Sequence, residues 1–341
     1  MARRTFSNPV YDEYFADPFV WRYDGAYYAI GTGPKEALGT VGVASGASIF
    51  PLLKSADLSS WTALGSALVR PEAELGDSFW APEITRQGSL WYLYYSVGYG
   101  DACHQLRVAS SESVIGPYLD SGLALTDLRE CPFAIDPHPF EDEDGRRYLF
   151  YARDFLSTAD DSGETVRAGT ALVVRELETM TQLGTAEKTV LRAKRDWQRF
   201  LAERTMYGRV FDWHTLEGPC VERHAGRYYC FFSGGRWETP NYGVDYAVAE
   251  GVLGPWSDAG NEAGPRVLRT APGRVLGPGH NSIVVGPDGV TRYIVYHAWD
   301  SAMQARRMCI DELIWTEQGP RARGPTWTPQ LLCHDASSHA P

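Results

Sequence analysis

The stretch "ADPFVWRYDGAYYAIG", residues 16–31, consists of an apolar run, an Asp-Gly turn and a second run rich in tyrosine. Asp-Gly between two aromatic or β-branched runs is typical of a β-hairpin. An acidic residue, Asp17, directly precedes a proline at the start of this apolar hairpin. Its presence calls for a partner or a function, because burying an unpaired carboxylate costs free energy.

Four further stretches repeat the order of short apolar strand, glycine turn and aromatic strand. They are "WAPEITRQGSLWYLYYSVG" from Trp80, "IDPHPFEDEDGRRYLFYARD" from Ile135, "LEGPCVERHAGRYYCFFSGG" from Leu216 and "GHNSIVVGPDGVTRYIVYHAWD" from Gly279. A second strand-like segment with its own turn follows each hairpin. We therefore predict a unit of four short strands, repeated five times at a spacing of roughly 50 to 80 residues.

Four-stranded units repeated around an axis are typical of a β-propeller. The sequence predicts an all-β chain that forms one five-bladed propeller over residues 1–341. Its blades are expected to start near residues 17, 80, 136, 217 and 280. A β-sandwich with similar turn spacing is the alternative. Residues 186–215 are highly charged and show no hairpin pattern, so we predict an insertion with a helical turn that lies over one face.

Composition disfavours two classes of partner. The formal net charge of −11 disfavours binding to nucleic acid or to an anionic membrane. Eleven Trp and 19 Tyr offer planar surfaces on which sugars or bases can stack.

Six scattered cysteines without a C-x-x-C pair predict reduced thiols, mostly buried, rather than disulfides or a zinc site. The N-terminal stretch lacks the apolar core of a secretory signal, so the expectation is a cytoplasmic protein, or a secreted one if the natural chain starts further upstream.

Counting back from each turn glycine places one residue of every repeat in an equivalent position. These residues are Asp17, Trp80, Asp136, Glu217 and His280. The first strand of a propeller blade lines the central channel, so the five side chains are expected to converge at one mouth of it. Three carboxylates at such a place repel one another unless hydrogen bonds or a cation relieve the repulsion, and such costly clusters are more often functional than structural.

The chemistry that such a cluster suggests is glycoside hydrolysis. One carboxylate takes a proton from water, and one carboxylic acid protonates the leaving oxygen. A third acid keeps the pKa of the proton donor high by like-charge repulsion. A tryptophan beside them can stack on a sugar ring.

The five motifs resemble those of glycoside hydrolase family 43, in the same order, over residues 8 to about 320. They are "ADPFV" with Asp17, "WAPEI" with Trp80, "IDPHPF" with Asp136, "EGPCV" with Glu217 and "GHNSIV" with His280. The resemblance implies a five-bladed propeller that hydrolyses glycosides with inversion. It implies Asp17 as general base, Asp136 as pKa modulator and orienter, Glu217 as general acid, and His280 as a ligand of a largely hydrated channel Ca²⁺.

Further candidates surround this set. Those predicted to bind substrate are Phe79, Trp80, His138, Trp213 and Arg307, with Arg306 and His214 as alternatives. Glu83 is predicted to have a structural hydrogen-bonding role.

The resemblance implies an enzyme that acts on α-L-arabinofuranosyl or β-D-xylosyl units of hemicellulose. The missing secretory signal favours small imported oligosaccharides as substrates, so we expect exo action on their terminal units. The alternatives are an endo-α-1,5-L-arabinanase and, from another class, a sugar-binding propeller without catalysis. A sugar-binding protein has no need of three converging carboxylates. The expected partner is a small oligosaccharide, with neither nucleic acid nor membrane involved.

Overall fold

The computed structural model of the protein describes residues 5–34, 48–160 and 162–333. Within these ranges the regular structure is β-strand, apart from two single-turn 3-10 helices at Ala73–Leu75 and Asp196–Gln198. The predicted all-β class is therefore confirmed. No helix in the described ranges has the length and apolarity needed to cross a membrane.

The first two sheets are antiparallel and follow chain order. Strand β1 (Thr5–Phe6) precedes a sheet of β2 (Ala16–Tyr23), β3 (Ala26–Thr32), β4 (Ser48–Ser55) and β5 (Thr62–Val69). The second sheet contains β6 (Ser78–Gln87), β7 (Leu90–Tyr99), β8 (Ala102–Ser111) and β9 (Leu119–Ala124).

The next nine strands form one continuous sheet with two antiparallel parts. The first part contains β10 (Ala134–Glu141), β11 (Arg147–Phe155), β12 (Gly169–Thr179) and β13 (Gln182–Leu191). Strand β14 (Arg199–Met206) pairs with β15 (Arg209–His224), which continues into β16 (Arg227–Gly234), β17 (Gly243–Ala249) and β18 (Leu268–Arg269). A short parallel pairing of β12 with β15 joins the two parts.

The last sheet contains β19 (Leu276–Val285), β20 (Arg292–Trp299), β21 (Arg306–Thr316) and β22 (Gly319–Ala322). The final strand, β23 (Gln330–Leu331), pairs antiparallel with β1, so the two ends of the described chain lie side by side. The first strands of the five groups, β2, β6, β10, β15 and β19, contact one another in a closed cycle.

Apolar clusters fill the junctions between consecutive groups of strands. Representative pairs from the five junctions are Phe50 and Tyr95, Tyr94 and Leu149, Phe150 and Phe232, Phe231 and Tyr296, and Val295 and Tyr27. Adjacent residues such as Tyr94 and Tyr95 serve opposite junctions, because side chains alternate between the faces of a strand. The second strand of each repeat is apolar at nearly every position because both of its faces are buried.

The prediction for residues 186–215 is only partly correct. The segment contains the 3-10 turn at Asp196–Gln198, but its first residues belong to β13 and its last ones form the hairpin β14–β15. A two-residue turn, Tyr207–Gly208, connects these strands, and both residues have positive φ (51° and 72°). This geometry is typical of two-residue hairpins. Phe211 and Trp213 alternate as in a β-strand, but the many charged residues around them led to the prediction of an insertion instead.

All six cysteines are free, and four of them are buried. The prediction of reduced, mostly buried thiols is confirmed.

Candidate active site

Each of the five first strands contains a β-bulge at the same place in its sheet. In β2 the pairing register shifts between Ala16 and Phe19, and equivalent shifts occur in the other four strands. The bulges begin at Asp17, Ala81, Asp136, Gly218 and His280, with φ angles of 51°, 46°, 58°, 58° and 48°. This backbone conformation costs a residue other than glycine roughly 1–2 kcal/mol. A bulge re-aims its side chain, which explains why polar residues interrupt these apolar strands.

The predicted register is wrong by one residue in two repeats. Trp80 and Glu217 occupy the position equivalent to Ala16, one residue before the bulge. Glycine does not hold a constant place in the turns: Gly25 is the second residue of its two-residue turn, whereas Gly88 is the first. Counting from a turn glycine therefore locates a strand position only to within one residue.

The predicted set nevertheless meets in one pocket of about 780 Å³, its open mouth included. We name this pocket the carboxylate compartment. It is lined by Asp17, Trp80, Asp101, Ile135, Asp136, Glu217, Trp237, His280 and Arg306. All five side chains that were expected to converge lie in it, and its volume is in the usual range for small-ligand sites.

Asp17 lies among positive and imidazole groups. Its Oδ1 is 3.2 Å from Nη1 of Arg306, 3.3 Å from Nδ1 of His297 and 3.4 Å from Nδ1 of His280. Burial alone would raise the pKa of Asp17, but the Arg306 guanidinium, followed by His280, holds it well below its usual range. Asp17 is therefore ionised, as a proton acceptor must be.

The pKa values of Glu217 and Asp136 are shifted in the opposite direction, upward. Burial raises the pKa of Glu217 to about 7, although the Tyr242 hydroxyl donates a 2.6 Å hydrogen bond to its Oε1 and the Arg306 charge also opposes the rise. Burial, followed by the charges of Glu217 and Asp17, raises the pKa of Asp136 well above its usual value. Because Asp136 and Glu217 interact, they titrate as a pair that retains a proton near neutral pH.

One repeat differs from three others at an equivalent position of its second strand, and this difference explains the placement of Asp136. The bulge N–H groups of Asp17, Ala81 and His280 each donate to a side chain of the preceding sheet, namely His297, Thr32 and Ser233. The equivalent residue facing Gly218 is Ala152, which offers no acceptor. The Gly218 N–H donates instead to Oδ2 of Asp136 at 2.8 Å, which fixes that carboxylate inside the compartment.

Aromatic rings form the walls. Trp80 stacks on His104, with ring centroids 3.9 Å apart, and Trp237 stacks on Trp299 at 5.4 Å. The Arg306 guanidinium lies 4.6 Å from the Trp237 ring centroid, in cation–π contact. The compartment therefore presents planar aromatic surfaces beside its acids, an arrangement suited to a sugar ring.

Two predicted substrate contacts are wrong because side chains alternate along a strand. Phe79 precedes Trp80 and points the other way, into the core, where it is 2% exposed. Arg307 pairs with Asp300 at 3.2 Å and lines a separate pocket, whereas its neighbour Arg306 takes the place in the carboxylate compartment.

The two predicted histidines also lie away from the compartment. His138 is bonded through both ring nitrogens, with Nδ1 2.7 Å from Oε2 of Glu83 and Nε2 accepting the N–H of Val221. This pair gives Glu83 the structural hydrogen-bonding position that the sequence predicted. His214 is buried, with Nδ1 3.0 Å from the carbonyl oxygen of Asp212, and does not line the carboxylate compartment.

Sequence reasoning missed Trp237, Tyr242 and His297. The first two lie in the loop between β16 and β17, where no regular spacing marks them. His297 was detectable, because it is a polar residue inside the otherwise apolar run "YIVYHAW". Its pKa is lowered to about 4, chiefly by burial, which keeps it neutral and able to accept the Asp17 N–H.

A second cavity of about 490 Å³ adjoins the first and shares Trp80, Asp101, Ile135, Glu217 and Trp237 with it. We name it the hairpin compartment, because strands β14 and β15 supply much of its wall. Its other lining residues are Phe133, Asp154, Thr170, Phe200, Arg204, Met206, Trp213 and Thr215. Trp213 thus lies in the adjoining compartment, where it is only 1% exposed and packs on Phe211.

The donor set near His280 is sparse for calcium. Within the described part of the chain, no three His, Cys, Asp or Glu side chains are grouped so as to hold a metal ion. The neighbouring Asn281 has a buried amide without a protein hydrogen-bond partner. Because calcium takes about six to eight oxygens, these residues fit only an ion that draws most of its ligands from water.

Known proteins are similar to this chain over nearly its whole length. A beta-D-galactofuranosidase, xynD, of Aspergillus niger is 27% identical, covering 92% of this chain and 83% of that protein. The extracellular endo-alpha-(1->5)-L-arabinanase 1 of Bacillus subtilis is 24% identical, covering 91% and 88%. A solved structure described as a thermostable family-43 glycoside hydrolase superposes with a TM-score of 0.76 at 29% identity, covering 96% of this chain and 99% of that one.

The sequence model of glycosyl hydrolases family 43 matches residues 6–320, which include every strand from β2 to β21. The chain belongs to glycosyl hydrolase family 43.

Proposed function

We propose that the protein is an inverting exo-glycosidase that releases terminal pentoses, α-L-arabinofuranosyl or β-D-xylosyl, from hemicellulose oligosaccharides. The observation that carries this proposal is the division of charge within one pocket. Asp17 is held ionised beside Arg306, whereas burial raises the pKa of Glu217 to about 7. A base and an acid with separated pKa values are what glycoside hydrolysis requires.

The proposed fold is a five-bladed propeller with four strands per blade. The closed cycle of contacts among β2, β6, β10, β15 and β19 supports it, as do the apolar clusters at the junctions. In this interpretation the continuous nine-stranded sheet is two blades joined by the short pairing of β12 with β15, and β14 is an addition to the fourth blade.

The proposed reaction is a single displacement. Asp17 accepts a proton from a water whose oxygen bonds to the anomeric carbon, while Glu217 gives its proton to the departing glycosidic oxygen as the bond to the sugar breaks. Asp136, fixed by the Gly218 N–H, titrates together with Glu217 and orients the sugar. Arg306 keeps Asp17 ionised and positioned.

An α-L-arabinofuranosyl substrate is the first choice within this proposal. The two relatives named above act on galactofuranosyl and arabinofuranosyl compounds, and β-D-galactofuranose has the ring stereochemistry of α-L-arabinofuranose with one more exocyclic carbon. The second candidate is endo action on arabinan, which the name of the Bacillus subtilis relative favours. A sugar-binding protein without catalysis is disfavoured by the separated acid and base.

A calcium ion is proposed only in a mainly water-coordinated form beside His280, and no step of the reaction depends on it. Exhaustive chelation should lower either activity or melting temperature. If both stay unchanged, the ion has no role in this protein.

The deciding experiment compares nitrophenyl α-L-arabinofuranoside and nitrophenyl β-D-xyloside with linear arabinan. Release of nitrophenol and of monosaccharide from chain ends supports exo action, whereas a ladder of oligosaccharides indicates endo action. No release from any of the three refutes the glycosidase. NMR of the first-formed sugar should show the anomer opposite to that of the substrate; the same anomer would make Asp17 a nucleophile.

A further inference from the structure

We propose that the hairpin compartment binds the sugar on the leaving-group side of the scissile bond. Arg204 of β14 is assigned as a substrate contact there, and Tyr207 as a positioning residue. This inference rests on the proposed glycosidase function and specifies the part of the substrate that this chain's own hairpin recognises.

The distribution of the acids between the compartments indicates which sugar of the substrate occupies each compartment. Glu217 lines both compartments, whereas Asp17 and Asp136 line only the carboxylate compartment. A general acid must reach the oxygen that joins the two sugars, so it has to face both of them. A general base serves the water at the anomeric carbon and needs to face only the sugar being released. The released sugar therefore occupies the carboxylate compartment, and the leaving group extends past Glu217 into the hairpin compartment.

Arg204 lies over two aromatic rings in this second compartment. Its guanidinium carbon lies 4.8 Å from the Phe200 ring centroid and 5.9 Å from that of Trp213. Its Nη2 is 3.3 Å from Oδ2 of Asp101, and its side chain is 18% exposed. Since a guanidinium has five N–H donors, several remain for ligand oxygens.

Asp154 supplies acceptors to the same cavity. Its Oδ1 accepts the Thr170 hydroxyl and its Oδ2 accepts the Tyr207 hydroxyl, both at 2.8 Å. Each carboxylate oxygen keeps a further lone pair for a ligand. An arginine and a carboxylate in an aromatic-walled cavity of about 490 Å³ suit a single sugar unit with vicinal hydroxyls.

Tyr207 fixes the position of the hairpin without lining the cavity. It occupies the first turn position with a φ of 51°, where glycine, asparagine and aspartate are the favoured residues. A large aromatic residue at this place is explained by its hydroxyl, which ties the hairpin tip to Asp154 on β11. The bond holds Arg204 and Phe200 at a set distance from β11, and so determines the width of the compartment.

The test measures kcat and KM on a nitrophenyl pentoside, whose leaving group has no sugar hydroxyls, and on the corresponding pentose disaccharide. Arg204→Ala should lower the ratio of kcat/KM for the disaccharide to that for the nitrophenyl substrate by about tenfold or more, because hydrogen bonds from a charged group are lost. Tyr207→Phe should lower the ratio about threefold, mainly through a higher KM for the disaccharide. Arg204→Lys retains the charge without the planar fork and serves if Arg204→Ala does not fold.

The matched control is Tyr228→Phe, which removes a 2.7 Å hydrogen bond to Asp142 outside both compartments and should leave the ratio unchanged. If the ratio is unchanged in the Arg204 and Tyr207 variants while the wild-type protein cleaves both substrates, the inference is overturned and the glycosidase stands. If the wild-type protein cleaves neither substrate, the proposed function itself fails.

Discussion

Among the described residues, the buried pair of Asp17 with His280 and the buried pair of Glu83 with His138 differ in their surroundings. Asp17 faces His280 at 3.4 Å, and Glu83 faces His138 at 2.7 Å; both carboxylates are less than a tenth exposed. Asp17 begins a bulge and opens onto the carboxylate compartment, whereas Glu83 lies two residues past the start of the equivalent bulge and lines neither compartment.

Their protonation tendencies differ as well. Burial raises the pKa of Glu83 despite the opposing charge and hydrogen bond of His138. For Asp17 the additional charge of Arg306 overcomes burial, and the pKa falls. An acid–histidine pair is therefore not enough to identify a catalytic site; access to a pocket and a fixed cation distinguish the two pairs.

The largest effect is expected from Asp17→Asn. Loss of the proton acceptor should reduce kcat on oligosaccharides by at least about a hundredfold, the usual contribution of general acid–base catalysis. Steady-state kinetics on purified protein measures it, with circular dichroism to verify folding. Near-normal turnover would show that Asp17 is not the general base, and the two acid–histidine pairs would then not differ in function.

Glu217→Gln should be comparably damaging on oligosaccharides but milder on nitrophenyl glycosides, because nitrophenol is a good leaving group that needs little protonation. We expect a loss of about a hundredfold for the former substrates and a clearly smaller one for the latter. Equal losses on both would contradict the role of Glu217 as proton donor.

Glu83→Ala tests the other member of the comparison. Losing the carboxylate leaves the buried Nδ1 of His138 without a hydrogen-bond acceptor, which should reduce the free energy of unfolding by about 1–3 kcal/mol, with kcat of the folded protein close to that of wild type. Urea denaturation at a temperature where both proteins are folded gives the difference, and Glu83→Gln, which retains the shape, should lose less. A large fall in kcat with unchanged stability would place Glu83 in the catalytic machinery.

The smallest effect is expected from Tyr242→Phe. The Tyr242 hydroxyl donates to Oε1 of Glu217 and so favours its ionised form. Removing the donor raises the pKa of Glu217, so the acid stays protonated to higher pH. The alkaline limb of kcat/KM, expected near pH 7 in the wild-type protein, should therefore move upward. A downward shift would show that Glu217 is not the group that must be protonated.

Much of the site was predictable because its acids interrupt apolar strands. Asp17 and Asp136 stand out against β2 and β10, and His280 does so in β19. Trp237 and Tyr242 were not predictable, since their loop has neither periodicity nor a turn pattern. Arg306 and Arg307 were indistinguishable in the sequence, because the face on which a side chain lies depends on a pairing register that neighbouring residues do not fix.

By itself, the sequence determined the strand-rich class, the repetition of hairpins and the residue types of the acids, because turn glycines and alternating or continuous apolar runs are local signals. Only the tertiary structure decided the bulge register, the choice of Arg306 as the partner of Asp17, and the hairpin at residues 199–224. These features depend on contacts between residues far apart in the chain. The pKa values of Asp17 and Glu217 differ through such contacts, since both are carboxylates in apolar strands and only their neighbours lower the first while burial raises the second.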